Sequence, residues 1–246
     1  MTFILNSCEK DKVVDDEPEE IVYTARIDLT PKFGTENIKI DSTYVLTDGT
    51  KIQFNEIKCY FSDISVGTTN LKANALFDFR LHGSKLIEVN TNPSNGNFSS
   101  GIGVPSSVNH NDPSAFPTSS PLNIAIANDM HWSWSPGYIF IKIEARADTI
   151  PDATNNFNHY LVYHIGKDEN FQNLSIPSIS WTNVSATLKQ LKLKLDLKDM
   201  IENSSNPVDL STEYTTHSNP GQIAITDKIR QNFLAAISVV CIVYYF

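Results

Sequence analysis

The sequence predicts an all-β fold, an antiparallel β-sandwich with a C-terminal helix and one long loop. Three observations carry this expectation. Between 138 and 147, Ile139, Ile141, Ile143 and Ala145 fall on one side, and Tyr138, Phe140, Lys142, Glu144 and Arg146 on the other. Between 191 and 198, Leu191, Leu193, Leu195 and Leu197 alternate with Lys192, Lys194, Asp196 and Lys198. A period of two marks a strand that buries one face, and it overrides the helix propensity of leucine. The third observation is a helical stripe after Pro220-Gly221: Ile223, Ile225, Ile229, Phe233, Ala236 and Ile237.

The other elements follow in order. Tyr23, Ala25, Ile27 and Leu29 alternate with polar residues until Pro31. Ile38, Ile40 and Ser42–Tyr44 make a second strand, closed by the turn signal Asp48-Gly49. Lys51–Phe54 and Ile57–Val66 read as a short pair of strands, and Leu76–Leu81 with Lys85–Asn90 as a hairpin about His82-Gly83. Residues 90–121 are dense in Asn, Ser, Gly and Pro and lack periodicity. A structureless loop of that length inside a domain is uncommon and often functional, so it is expected as a lid over Met130–Trp134. Asn158–Ile165 is a strand ending at Gly166, and Leu174–Trp181 an edge or bulged strand because of Pro177. The apolar tail 233–246 is shorter than the ~20 residues that span a bilayer and reads as helix end plus a buried final strand.

With 246 residues and 41% hydrophobic composition the chain has the means for a proper core. A net charge of −9 without a Lys/Arg cluster excludes nucleic acid as the partner. Cys8, Cys59 and Cys241 form no CxxC pair and imply no disulfide framework. Cys59 and Cys241 lie in apolar surroundings and read as small core residues. Cys8 follows Phe3-Ile4-Leu5-Asn6-Ser7 and precedes an acidic, proline-containing stretch. This resembles the end of a bacterial lipoprotein signal, with Cys8 lipidated and the stretch after it similar to the export signal of surface lipoproteins in Bacteroidetes. The apolar run is shorter than the ~7–15 residues of a signal, which in this reading places the start codon upstream. The expected division is therefore 1–8, signal remnant; 9–20, acidic tether; 21–246, β-sandwich domain.

GxSxG, HExxH, phosphate-loop and dinucleotide signatures are absent, so a binding protein rather than an enzyme is expected. Chemistry-bearing residues concentrate at Met130, His131, Trp132 and Trp134, which end at the Ser135-Pro136-Gly137 turn and lead into the strand from Tyr138. Of the six histidines, His159 and His164 are five apart on one strand and face opposite sides. His217 precedes the C-terminal helix, His110 lies in the long loop and His82 in a turn. Imidazole suits copper, zinc, iron and nickel, and the thioether of Met130 tilts the choice toward Cu(I). Isolated surface or core histidines remain the bland alternative.

The blocks IKCYFSDISV (57–66), DMHWSWSPGYIFIKIEA (129–145), NHYLVYHIG (158–166) and THSNPGQIAITDKIRQNF (216–233), in that order, resemble the methanobactin-partner-protein (MbnP-like) family. The pattern HW-x-W-x-x-GY-x-F-x-K-x-E is the most specific part. The resemblance implies a β-rich envelope lipoprotein that binds copper and works beside a diheme c-type cytochrome of the peroxidase-like type, which oxidises a tryptophan to kynurenine. Carried onto this sequence, the matching residues are His131, Trp132, Trp134, Tyr138, Lys142 and Glu144, with His164 and His217 in the later blocks. The resemblance leaves open which histidines ligate and which of Trp132 and Trp134 is oxidised, and the candidate metal residues are His131 with His164 or His217. Met130, Tyr138, Lys142 and Glu144 are the supporting residues, with Lys142 and Glu144 read first as a structural charge pair on one strand face. Membrane attachment through the lipid on Cys8 and an outer-membrane, surface-exposed location follow from the same resemblance. A second hypothesis is a surface lipoprotein that binds a glycan or protein, without metal, through the long loop and exposed aromatics such as Phe98 and Phe116.

Overall fold

The computed structural model describes residues 21–127, 129–132, 137–150 and 155–240. In chain order its strands are β1 (Thr24–Phe33), β2 (Glu36–Asn37), β3 (Thr43–Val45), β4 (Lys51–Val66), β5 (Thr69–Asp78), β6 (Lys85–Val89) and β7 (Gly96–Ile102). After these come β8 (Ile139–Asp148), β9 (His159–Gly166), β10 (Gln172–Ile179), β11 (Thr182–Asn183), β12 (Leu188–Asp196), β13 (Thr215–Thr216) and β14 (Ile237–Val239). The α-helices are α1 (Phe79–His82), α2 (Ser106–Asn109), α3 (Ile124–Ala127), α4 (Leu197–Ile201) and α5 (Ile223–Ala235).

The strands form two sheets. One runs β11-β12-β1-β2, with β14 added to β12 and β6 to β1; the other runs β10-β7-β4-β8-β9-β13, with β3 and β5 added to β4. Pairing is mostly antiparallel, as the sequence predicts, but β1–β12 and β9–β13 are parallel. The main core lies between the sheets, where Ile27 and Leu29 of β1 and Leu191 and Leu193 of β12 meet Phe61 of β4 and Ile143 of β8. Helix α5 closes the core with Ile229 and Phe233. The alternation of β12 holds, with Leu191, Leu193 and Leu195 buried and Lys192 exposed. Leu197 is buried too, but as the first residue of α4, whose N-terminus is capped by Asp196.

The structure also departs from the sequence expectation in how several segments are connected. The expected pair 51–54 and 57–66 is one strand, β4, with a bulge between Phe54 and Glu56. Phe54 and Ile57 both face the core three residues apart, and the extra residue resets the alternation. The expected hairpin about His82-Gly83 is a crossover between sheets, since β5 pairs with β4 and β6 with β1. Asp78 starts that corner by accepting from the Leu81 N–H at 3.1 Å. Within 90–121, which reads as structureless, lies β7. Its small residues are demanded by packing: a Cβ on Gly101 would sit 2.3 Å from the Phe171 ring and from Ser62 Oγ.

Strand β8 reads as half-buried, yet both faces are covered. The chain from Val104 to Trp132 folds back over the outer face of the β4–β8–β9 sheet, and Val104, Leu122, Met130 and Trp132 pack there on Tyr60 and Phe140. From the long loop, Val104, Val108 and Phe116 pack in one cluster with Met130 and Trp132, while Gly96–Ile102 is part of the sheet and Trp134 lies outside the described residues. Ile139, expected inward with Ile141, belongs to this outer cluster because a register shift separates the two.

Candidate metal centre

The outer face of the sheet carries charge as well as apolar side chains. Strands β4 and β8 place Glu56 directly opposite Glu144 and Lys58 directly opposite Lys142. Like charges in direct register repel, and diagonal pairing offsets this. The Lys142 ammonium lies 2.6 Å from Glu56, 3.2 Å from Asp129 and 3.4 Å from Glu144. Lys58 pairs with Asp129 and lies 3.2 Å from both Glu56 and Asp78. Both lysines are buried. Burial disfavours their charge, but the surrounding carboxylates outweigh it and raise both pKa values.

This chain of charges ends at two histidines. Glu144 Oε1 lies 2.9 Å from His164 Nε2 on β9. A carboxylate only accepts, so in the neutral ring Nε2 carries the proton and Nδ1 keeps its lone pair. The His164 hydrogen bond, despite opposing burial and with help from Lys142, holds Glu144 below the usual carboxylate range. The His164 ring meets that of His217 at 5.0 Å between centroids, with an interplanar angle of 80°. Burial, then the neighbouring His164, pushes the His217 pKa down despite Glu144, which favours the neutral, ligating imidazole.

His217 follows β13, whose parallel pairing with β9 brings it to His164. The turn is tied down by several bonds. The His217 N–H donates to Gln222 Oε1 at 2.8 Å, Ser218 Oγ accepts from the Gly166 N–H at 3.2 Å, and the Ser218 N–H donates to Thr216 Oγ1 at 3.1 Å. Trp132 joins the same neighbourhood, since a Cβ on Gly166 would lie 2.6 Å from its ring.

A family model described as MbnP matches residues 23–220. The chain belongs to the MbnP family. Its fold is similar to that of MbnP from Methylosinus trichosporium, with a TM-score of 0.51 and 15% identity over 83% of this chain and 87% of that one. No curated protein matches the chain.

The residues carried over from the MbnP-like motif fall into two groups. His164, His217, Glu144 and Lys142 lie along the charge chain. Met130, Trp132 and Tyr138 lie in the outer apolar cluster, where the Tyr138 hydroxyl donates to the Leu122 carbonyl at 2.5 Å and burial pushes its pKa up to about 12. His131 is set apart from the histidine pair. It forms a bridge with Tyr138, its ring packs edge-on to the Tyr138 ring at 5.1 Å, and burial lowers its pKa although the charge of Asp112 opposes this. His131, expected to ligate with His164 or His217, is not grouped with them: among the described residues no three His, Cys, Asp or Glu side chains gather as a metal site. The reason is topological, because His131 enters from the covering chain whereas His164 and His217 come from paired strands. Trp134, Cys8 and Cys241 lie outside the described residues. Cys59 is a buried core residue, as expected, with its thiol pKa pushed up by burial.

Sequence reasoning missed Asp129, Lys58, Glu56 and Asp78. Their signal was the polar alternation of Glu56 and Lys58, visible only once β4 is known to lie against β8. Asn109 was missed as well: fully buried, it accepts from the Tyr138 N–H at 2.8 Å and donates to Asp168 Oδ1 at 2.7 Å. The two aromatics expected to be exposed for recognising a glycan differ: one is buried and the other half-buried. Phe98 is buried in β7, and Phe116 packs on the outer cluster.

Proposed function

We propose that this MbnP-family chain is a copper-binding protein, not an enzyme, and that His164 and His217 hold the ion. The observation that carries the reading is their ring pair at 5.0 Å with Glu144 oriented on His164 Nε2. A carboxylate on the far nitrogen of a ligating histidine fixes its tautomer and raises its basicity. With metal–nitrogen bonds of about 2.0 Å, two imidazoles on one ion have centroids roughly 5–6 Å apart, which the observed spacing meets. Zinc sites are almost always four-coordinate, whereas Cu(I) accepts two or three soft or borderline donors. Four carboxylates (Glu56, Asp78, Asp129, Glu144) face two ammonium groups (Lys58, Lys142), an excess of two negative charges that favours a cation at the adjoining pair.

A tryptophan of the HWSW segment supplies a third donor in this reading. Cleavage of its indole C2–C3 bond by a diheme c-type cytochrome partner of the peroxidase-like type, with two equivalents of peroxide as oxidant and two waters formed, gives N-formylkynurenine. Hydrolysis releases C2 as formate and leaves kynurenine, with an aniline nitrogen beside a ketone. Trp132 is the better-supported candidate, through its contact with Gly166, two residues beyond His164. Lipidation of Cys8 places the protein in the bacterial cell envelope at the outer membrane.

The test is Cu(I) titration against a chromophoric chelator for wild type, His164→Ala, His217→Ala and His131→Ala. It is repeated after treatment with a diheme peroxidase partner, with peptide mapping across 128–147. Loss of His164 or His217 is expected to weaken binding at least a hundredfold, His131→Ala much less, and Trp132 is expected to gain oxygen. Equal affinity in all four proteins would reject the copper reading.

A further inference from the structure

Asp129 stands one residue before Met130 and three before Trp132, and its side chain reaches back to the sheet. A single oxygen, Oδ2, is bound by both Lys58 and Lys142. These two lysines lie in direct register on adjacent strands, where their buried ammonium groups repel one another. Asp129 is the group that the covering chain sends between them. Burial pushes its carboxyl pKa up, and the two ammonium groups more than offset this and hold it below the usual range. The contact therefore secures the segment that seats Trp132 on Gly166 and the His131 backbone on Tyr138.

The same ammonium group touches the histidine pair's support. Lys142 is shared among Glu56, Asp129 and Glu144, and its contact on Glu144 is Oε1, the oxygen that also meets His164 Nε2. Asp129 thus draws Lys142 away from an oxygen for which it competes with His164. We propose that Asp129 is a positioning residue: it latches the Met130–Trp132 segment to Lys58 and Lys142, and through Lys142 and Glu144 it couples the seating of that segment to metal affinity at the His164–His217 pair. The coupling rests on the copper reading above; the latch does not. Coupling between two sites is reciprocal, so an ion at the histidine pair also protects the latched segment from opening.

Asp129→Asn keeps the size of the side chain and removes its charge. The two readouts are amide hydrogen exchange across 123–145 and Cu(I) affinity by chelator competition, using the metal alone as probe. In Asp129→Asn the amides of 130–132 are expected to exchange at least tenfold faster, while those of Ile141 and Ile143 in β8 keep their protection. Cu(I) affinity is expected to fall about 10–100-fold, the range seen when a group behind a ligand is lost. Asp129→Glu restores the charge and is expected to recover most of both. Cu(I) bound to wild type is expected to slow exchange at 130–132. Unchanged exchange in Asp129→Asn overturns the latch. Faster exchange with unchanged Cu(I) affinity overturns the coupling and leaves the copper reading intact. If wild type binds no Cu(I), the copper reading and the coupling fail together, and the exchange data still decide the latch.

Discussion

Gly166 has no room for a side chain. A Cβ there would stand 2.6 Å from the Trp132 ring and 2.6 Å from the Tyr138 carbonyl oxygen, while its own N–H donates to Ser218. The glycine is needed because an indole presses on the end of β9. Gly166→Ala is expected to cost about 1–3 kcal/mol through overpacking. It should also change the near-ultraviolet circular dichroism of the tryptophans as Trp132 moves off its seat. Unaltered stability together with an unaltered spectrum would mean that the indole does not rest there.

At the scale of the element, β8 does two jobs with two faces. Ile141, Ile143 and Ala145 enter the core between the sheets, and Phe140, Lys142 and Glu144 build the outer layer. Strand β12 has a simpler task, with buried leucines at Leu191, Leu193 and Leu195 and an exposed Lys192 between them. Leu193→Ala is expected to cost about 2–5 kcal/mol, transfer and cavity contributions together. Lys192→Ala is expected to cost less than about 0.5 kcal/mol. Denaturant midpoints measure both, and equal losses would contradict the assignment of faces.

At the scale of the molecule, the paired and partly buried charges set how stability responds to pH. Asp129 and Asp168 have folded pKa values below the ordinary carboxylate value, so their contribution is complete above about pH 4 and is lost as pH falls through the folded values. His131 is shifted down as well, so the unfolded chain takes up its proton first and a shallower loss begins below about pH 6.5. Lys58 and Lys142 are shifted up, and their contribution holds below about pH 10 and is lost as pH rises through their folded values. Urea midpoints measured from pH 3 to pH 11 are expected to show a broad plateau near neutrality with losses at both ends. A midpoint that rises between pH 6 and pH 3 would run against the sign of these shifts.

Local pattern was enough for the two-sheet class, the alternation of β8 and β12, the terminal helix and the blocks that mark the MbnP family, because burying one face of a strand imposes period two on the residues themselves. The resemblance carried by those blocks reached His164, His217, Glu144 and Trp132, but placed His131 with the two histidines and gave no geometry. Tertiary structure decided three things that no local pattern carries. Parallel pairing of β13 with β9 brings His217 to His164 although the two stand far apart in the sequence, a proximity that spacing cannot encode. The register of β4 against β8 turns four separated charges into one buried chain and draws Asp129 onto it. The return of the covering chain buries an outer face that alternation alone reads as solvated, and leaves His131 on Tyr138 rather than beside the other histidines. Each is a contact between residues far apart in sequence, fixed by sheet order and register, which sequence periodicity does not specify.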